Sequence, residues 1–124
     1  MPMATIFHLA LPGDWAAALQ AGCYRWSTRG KSLDDGATFI HASRHDQVAM
    51  VANFVYADVE GALNLLVIDT ERLVSALCDE DLDGIGISFP HIYGPLNLDA
   101  VVDVRDYERG PDGRWPEVSP QAVS

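Results

Sequence analysis

The chain has 124 residues, 48% apolar and 21% charged, a balance that suits one folded domain and excludes a disordered one. Its formal net charge of −10 argues against general nucleic-acid binding, because phosphate backbones would be repelled and no basic stripe is present to release counterions. No apolar run approaches the roughly 18 residues a membrane span needs, and no basic segment leads into an apolar one at the start.

A cytoplasmic location with no membrane partner is the expectation. Cys23 and Cys78 then read as reduced, isolated thiols rather than as a disulfide or a zinc pair.

Residues 5–10 are short and mostly apolar and predict a first strand, stopped by Pro12-Gly13. Asp14 caps a predicted helix over 15–21, with Gly22 where helices usually end. The polar stretch 23–36 has no periodicity and is read as a long, functional loop. Residues 37–42 predict a second strand. Ser43 then fits an N-cap, with Asp46 three residues on, and Val48, Val51, Ala52 and Val55 follow at helical spacing to about Tyr56.

The run 63–68 suits a central strand covered on both faces. Asp69 or Thr70 caps a predicted short helix through Leu77, and Asp79-Glu80-Asp81 reads as an acidic turn. Residues 85–89 predict a short strand, and Phe89-Pro90-His91-Ile92-Tyr93-Gly94-Pro95-Leu96 a rigid aromatic turn. Residues 101–107 predict the last strand, and 116 onward a flexible tail after a single domain over 1–115. Strands and helices mix without regular alternation, so the fold class is α+β.

Three histidines sit in apolar or turn settings: His8 in Ile6-Phe7-His8-Leu9-Ala10, His41 in Phe39-Ile40-His41-Ala42-Ser43, and His91 in the Phe-Pro-His block. Histidine changes charge near neutrality, and their convergence on one pocket is the central expectation. Four of the eight basic residues (Arg25, Arg29, Lys31, Arg44) fall between positions 25 and 44, a local cationic patch suited to a small phosphorylated ligand. A serine hydrolase would need a G-x-S-x-G elbow, and none exists. A metal site on His41 and His45 has no H-x-x-x-H helix with a nearby glutamate to support it, and metal is not expected. A two-histidine phosphoesterase would pair two His-x-Ser/Thr motifs; His41-Ala42-Ser43 fits, and His8-Leu9-Ala10 lacks the hydroxyl. A nucleotide pocket would use histidines on ribose hydroxyls, arginines and a helix start on phosphates, and aromatics on rings.

The order of His8 on strand one, a short helix ending at Gly22, His41-x-Ser43, an amphipathic helix and Leu65-Leu66-Val67-Ile68-Asp69 is similar to RNA 2′-phosphotransferases of the ADP-ribosyltransferase superfamily. More closely, Phe7-His8-Leu9, Phe39-Ile40-His41-Ala42-Ser43, Gln47 with Ala52-Asn53, and Phe89 through Leu96 resemble the bacterial "domain of unknown function 952" family over about residues 5–107. This resemblance implies an ADP-ribosyltransferase-like split, bent, mainly antiparallel sheet with short flanking helices and an NAD-type cleft. His8 and His41 would lie side by side there, with His8 on a ribose hydroxyl. Phe7 stands where RNA 2′-phosphotransferases carry arginine. The glutamate of protein ADP-ribosyltransferases has no counterpart, Glu71 and Glu80 being placed in a helix and a turn.

The expected site has His8, His41 and His91 as its catalytic residues. Tyr24, Arg25, Ser43, Arg44 and Tyr93 hold NAD or a related nucleotide. The other readings are a non-catalytic sensor of a small phosphorylated metabolite and the two-histidine phosphoesterase.

Overall fold

The structure is a computed structural model describing residues 5–118. Its framework is an antiparallel sheet of β1 (Thr5–Ala10), β4 (Leu63–Asp69) and β8 (Val101–Tyr107), with β4 in the middle. A second sheet of β3 (Ile40–His41), β6 (Phe89–Tyr93) and β5 (Ala76–Glu80) is antiparallel with β6 central. A two-stranded pair joins β2 (Cys23–Tyr24) to β7 (Leu96–Asn97). The fold is thus mixed α and β, with antiparallel sheets and few short helices.

Strands β1 and β4 are apolar on both faces because both faces are covered. Phe7, Leu9, Leu65 and Val67 pack on one side with Val48, Val51, Ala52, Tyr56 and Trp115. Ile6, Ala10, Leu66 and Ile68 pack on the other with Ala18, Tyr24, Ile40 and Ile92. Strand alternation puts His8 on the same face as Ile6 and Ala10.

Helix α1 (Pro12–Ala21) begins two residues before Asp14, with Leu11 as N-cap, no capping side chain, and Pro12 in the first turn, where its missing N–H costs nothing. It stops at Gly22, whose φ of 90° lets its N–H reach the Ala18 carbonyl. Helix α2 (Val48–Val55) is preceded by a 3₁₀ turn, His45–Gln47. The cap of that turn comes from Gln47, whose Oε1 accepts from the Arg44 N–H at 2.9 Å, and α2 has no side-chain cap of its own. Ser43 is not a cap: its N–H and C=O pair with Phe7 at 2.7 and 2.8 Å, joining the two three-stranded sheets edge to edge.

Other expectations need correction. The second strand shrinks to Ile40–His41, because the loop before it is held instead by Ser27, Ser32 and two 3₁₀ turns. The helix expected over 70–77 is a single 3₁₀ turn, Thr70–Arg72, followed by β5, so Glu80 lies on a strand and not in an acidic turn. The Phe-Pro-His-Ile-Tyr block is strand β6 rather than a turn, and the strand expected over 85–89 begins only at Phe89. Pro90 is tolerated because the pattern around it needs only its carbonyl, which accepts from Ala42 N–H at 2.9 Å.

Beyond residue 115 the chain still packs: Tyr107 donates to the Pro116 carbonyl at 2.5 Å and Val118 touches the core. The rest of the expected tail, 119–124, lies outside the described residues.

Asn53 fastens this closing segment to α2. Its amide donates to the carbonyls of Ala49 and Trp115, and its Oδ1 accepts from the Trp115 N–H at 2.9 Å. Asn53→Ala leaves the Trp115 N–H and C=O without these partners and should lower unfolding free energy by about 1–3 kcal/mol, read by urea denaturation.

Candidate functional site

Strand pairing makes His41 and His91 direct cross-strand partners, and their rings lie 5.4 Å apart. His8 approaches from β1: its Nδ1 lies 2.6 Å from the His41 carbonyl and its Nε2 lies 2.7 Å from the Tyr24 hydroxyl. A carbonyl only accepts, so His8 carries its proton on Nδ1, and Nε2 accepts from Tyr24. The three histidines are therefore neighbours, in three different environments.

His8 is 3% exposed, and both its nitrogens are engaged within the protein. Burial pushes its pKa down to about 4, against the carbonyl bond that raises it, so the ring is neutral at pH 7. His91 is equally buried, stacked on Phe39 with centroids 3.9 Å apart, and its Nδ1 is 3.0 Å from Glu80 Oε1. Tyr93 donates to the same oxygen at 2.5 Å. These two bonds, Tyr93 first, hold the Glu80 carboxyl below the usual range, and the bond to Glu80 pushes the Tyr93 phenol up to about 12. Glu80, placed in a turn by its acidic neighbours, is thus the carboxylate that orients His91.

His41 differs from both. Its backbone is fixed by Ser27 Oγ and His8, yet neither ring nitrogen has a hydrogen-bond partner among the described residues. Burial, then His91, push its pKa down to about 4, opposed by Asp83. It presents a neutral imidazole with unused hydrogen-bonding capacity.

That ring lines two adjoining spaces. On one side is a cleft of about 380 Å³ whose walls are Met50, Val51, Phe54 and Val55 of α2, Phe89 of β6, and Ile85 and Asp83 of the preceding loop, with Thr28 beside His41. On the other is a niche of about 10 Å³, room for about one water, lined by His8, Leu9, Thr28, His41, Ser43, Val51 and Tyr56. Thr28, His41 and Val51 belong to both. A larger hollow of about 580 Å³ lies between Asn53 and the 110–117 segment, but it is made of turn residues and contains no histidine. The smaller cleft is the better candidate because a free, neutral, partly buried imidazole opens onto it.

The expected cations do not reach it. Arg44 is tied to Asp79 at 2.8 Å and to the Ser88 carbonyl at 2.6 Å; Arg25 pairs with Asp34 at 3.7 Å. Neither lining includes lysine or arginine. At the helix start the N–H groups of Ser43, Arg44 and Gln47 are taken by Phe7, the Gln47 side chain and the Arg44 carbonyl. Tyr24, His91 and Tyr93 sit behind or beside the cleft rather than in its lining. Among the described residues no cluster of three His, Cys, Asp or Glu could hold a metal ion.

Thr28, Phe54, Tyr56 and Asp83 were not singled out from the sequence. Phe54 carried a usable signal: with Met50 it lies off the Val48-Val51-Ala52-Val55 stripe, so two bulky apolar side chains face outward, four apart on one helix. Phe54 is 85% exposed. Asp83 carried none.

Neutral burial of His8 makes stability pH-dependent. Its folded pKa of about 4 lies below the unfolded 6.5, so between these values the unfolded chain binds the extra proton and stability falls with pH. Urea unfolding should show about 3 kcal/mol lost on this account from pH 6.5 to 4, whereas the contribution of Glu80, whose pKa is lowered, is lost only below its ordinary range. NMR titration should find the His8 and His41 rings neutral at pH 6.

A family profile described as "Protein of unknown function (DUF952)" matches residues 10–104. The crystal structure of protein CC0527 from Caulobacter crescentus is 29% identical, with a TM-score of 0.72, covering 90% of this chain and 93% of that one. A double-mutant crystal form of CC0527 has the same TM-score and coverage at 28% identity. Its solution NMR structure is 30% identical, with a TM-score of 0.69 over 96% of this chain and 93% of that one. No curated protein matches. With the profile spanning most of the chain and the fold shared with CC0527, the chain belongs to the DUF952 family, whose function is unknown.

Proposed function

We propose that the chain is a small-molecule binding domain that takes the ring end of a nucleotide such as NAD. The observation that carries this reading is the free, neutral His41 ring at the junction of an apolar cleft and a water-sized polar niche. A base or nicotinamide-type ring would lie against Phe89 and Val51. Its carboxamide, amino or hydroxyl group would bond to His41 and reach the niche hydroxyls of Thr28, Ser43 and Tyr56. At about 380 Å³ the cleft accommodates the ring end rather than a whole dinucleotide, whose phosphates would stay in solvent.

Binding without turnover fits the chemistry better than transfer. An imidazole with a pKa near 4 is a weak base at neutral pH, and the Glu80 carboxylate is committed to His91 and Tyr93. An ADP-ribosyltransferase-like split of the sheet is part of the same proposal, supported by the single Phe7–Ser43 junction between two three-stranded sheets. So is a cytoplasmic site of action, supported by two unpaired cysteines, Cys23 and Cys78.

Thermal or chemical unfolding with nicotinamide, adenosine, NAD, ADP-ribose and inorganic phosphate tests this. A ring-bearing ligand at 100-fold excess over Kd should add about 2.7 kcal/mol, and phosphate nothing. His41→Ala should remove the effect and Arg44→Ala should not. Stabilisation by phosphate but by none of the ring ligands would overturn the proposal.

A further inference from the structure

The proposed cleft has a charge character that its ring-binding role does not require. Its lining contains one ionisable carboxylate, Asp83, and no lysine or arginine. Phe54 on α2 and Phe89 on β6 belong to different walls, and aromatic faces carry negative potential. Between them His41 is neutral and contributes no opposing charge.

Asp83 is held by a braced turn. The Asp81 carboxylate accepts the N–H groups of Ile85 and Gly86 at 3.0 and 2.8 Å, and the Asp81 carbonyl accepts from Gly84. Asp83 itself has no hydrogen bond or ion pair among the described residues, in contrast to Asp79 on β5, which is consumed by Arg44. It is close enough to His41 to raise that group's pKa against burial. An exposed, unpaired carboxylate beside two aromatic walls is a cation site without its cation's protein partner.

We infer that the cleft selects ligands whose ring carries a positively charged amine or guanidine group, with Asp83 as the specificity-determining residue and Phe54 and Phe89 as the aromatic walls. This rests on the ring-binding reading above. An ammonium group on the ring would meet Asp83 and the aromatic faces at the cleft mouth, while the ring occupies the apolar space over Val51 and Phe89. A carboxylate in the same place would be repelled and would find no lysine or arginine in the lining.

Benzylamine, benzyl alcohol and benzoate share a ring and differ in charge, and their affinities can be measured by NMR chemical-shift titration at low salt. Benzylamine should bind about five- to tenfold tighter than benzyl alcohol, with benzoate weakest. Asp83→Asn, at an exposed position, should cut the preference for benzylamine over benzyl alcohol to about two- to threefold. Benzyl alcohol binding at the Phe89 and Val51 resonances with no preference for the amine, or a preference unchanged in Asp83→Asn, would overturn the charge selection and leave the ring-binding reading standing. If none of the three perturbs those resonances, the ring-binding reading fails and the selection falls with it.

Discussion

The site depends on one hydrogen bond, from the His8 imidazole to the His41 carbonyl. It crosses the seam between the two three-stranded sheets, where the backbone of the described residues contributes only the Phe7–Ser43 pair. A buried carbonyl at such a seam has no ladder partner of its own and would be costly to leave bare. His8 supplies the missing donor, and Tyr24 supplies the donor that the other His8 nitrogen needs. The chain therefore spends one histidine and one tyrosine to hold a second histidine at the mouth of a niche.

The same economy explains why the cleft lining has no lysine or arginine. Arg29 shows it most fully: its backbone N–H meets the Tyr56 hydroxyl, while its guanidinium closes on the Val55 carbonyl and Asp58 beyond the end of α2. Arg109 likewise caps the carbonyls of Tyr56, Ala57 and Val59 and lies over Trp115. Arg44 stitches the turn before α2 to the loop before β6. These cations hold connections between elements together in an otherwise acidic chain. A count of basic residues between positions 25 and 44 detects their density but not their commitments.

Strands β1, β4 and β8 and the end of helix α1 were legible because their signals are local: mostly apolar or alternating runs, and a glycine where the helix stops; Pro12, read as the stop of the strand, starts the helix instead. The three histidines are neighbours although nothing local specified it, but His91 lies outside the lining that His8 and His41 share, where one pocket was expected for all three. Strands β5 and β6 were hidden for a physical reason. Strand β5 has no buried residue and alternates weakly, and β6 carries a proline that normally argues against a central strand. With β5 unread, Glu80 had no route to His91, and the acidic residues around it looked like a solvated turn. Ser43 misled in another way, since a serine before a helix fits an N-cap as well as it fits the sheet junction it forms here.

Three histidines that look alike along the chain end with separate roles, and their partners decide which. His8 has both nitrogens satisfied and acts through the backbone it supports. His91 has a carboxylate on one nitrogen and an aromatic ring on its face. Only His41 keeps its ring nitrogens free, and it does so beside groups that lower its basicity. A proton acceptor poised near neutrality would need the opposite arrangement, with a carboxylate bonded to the ring that faces the cleft. Here the carboxylate bonds the ring behind it. That displacement by one strand leaves a constellation with catalytic composition in which the ring facing the cleft has hydrogen-bonding capacity but little basicity.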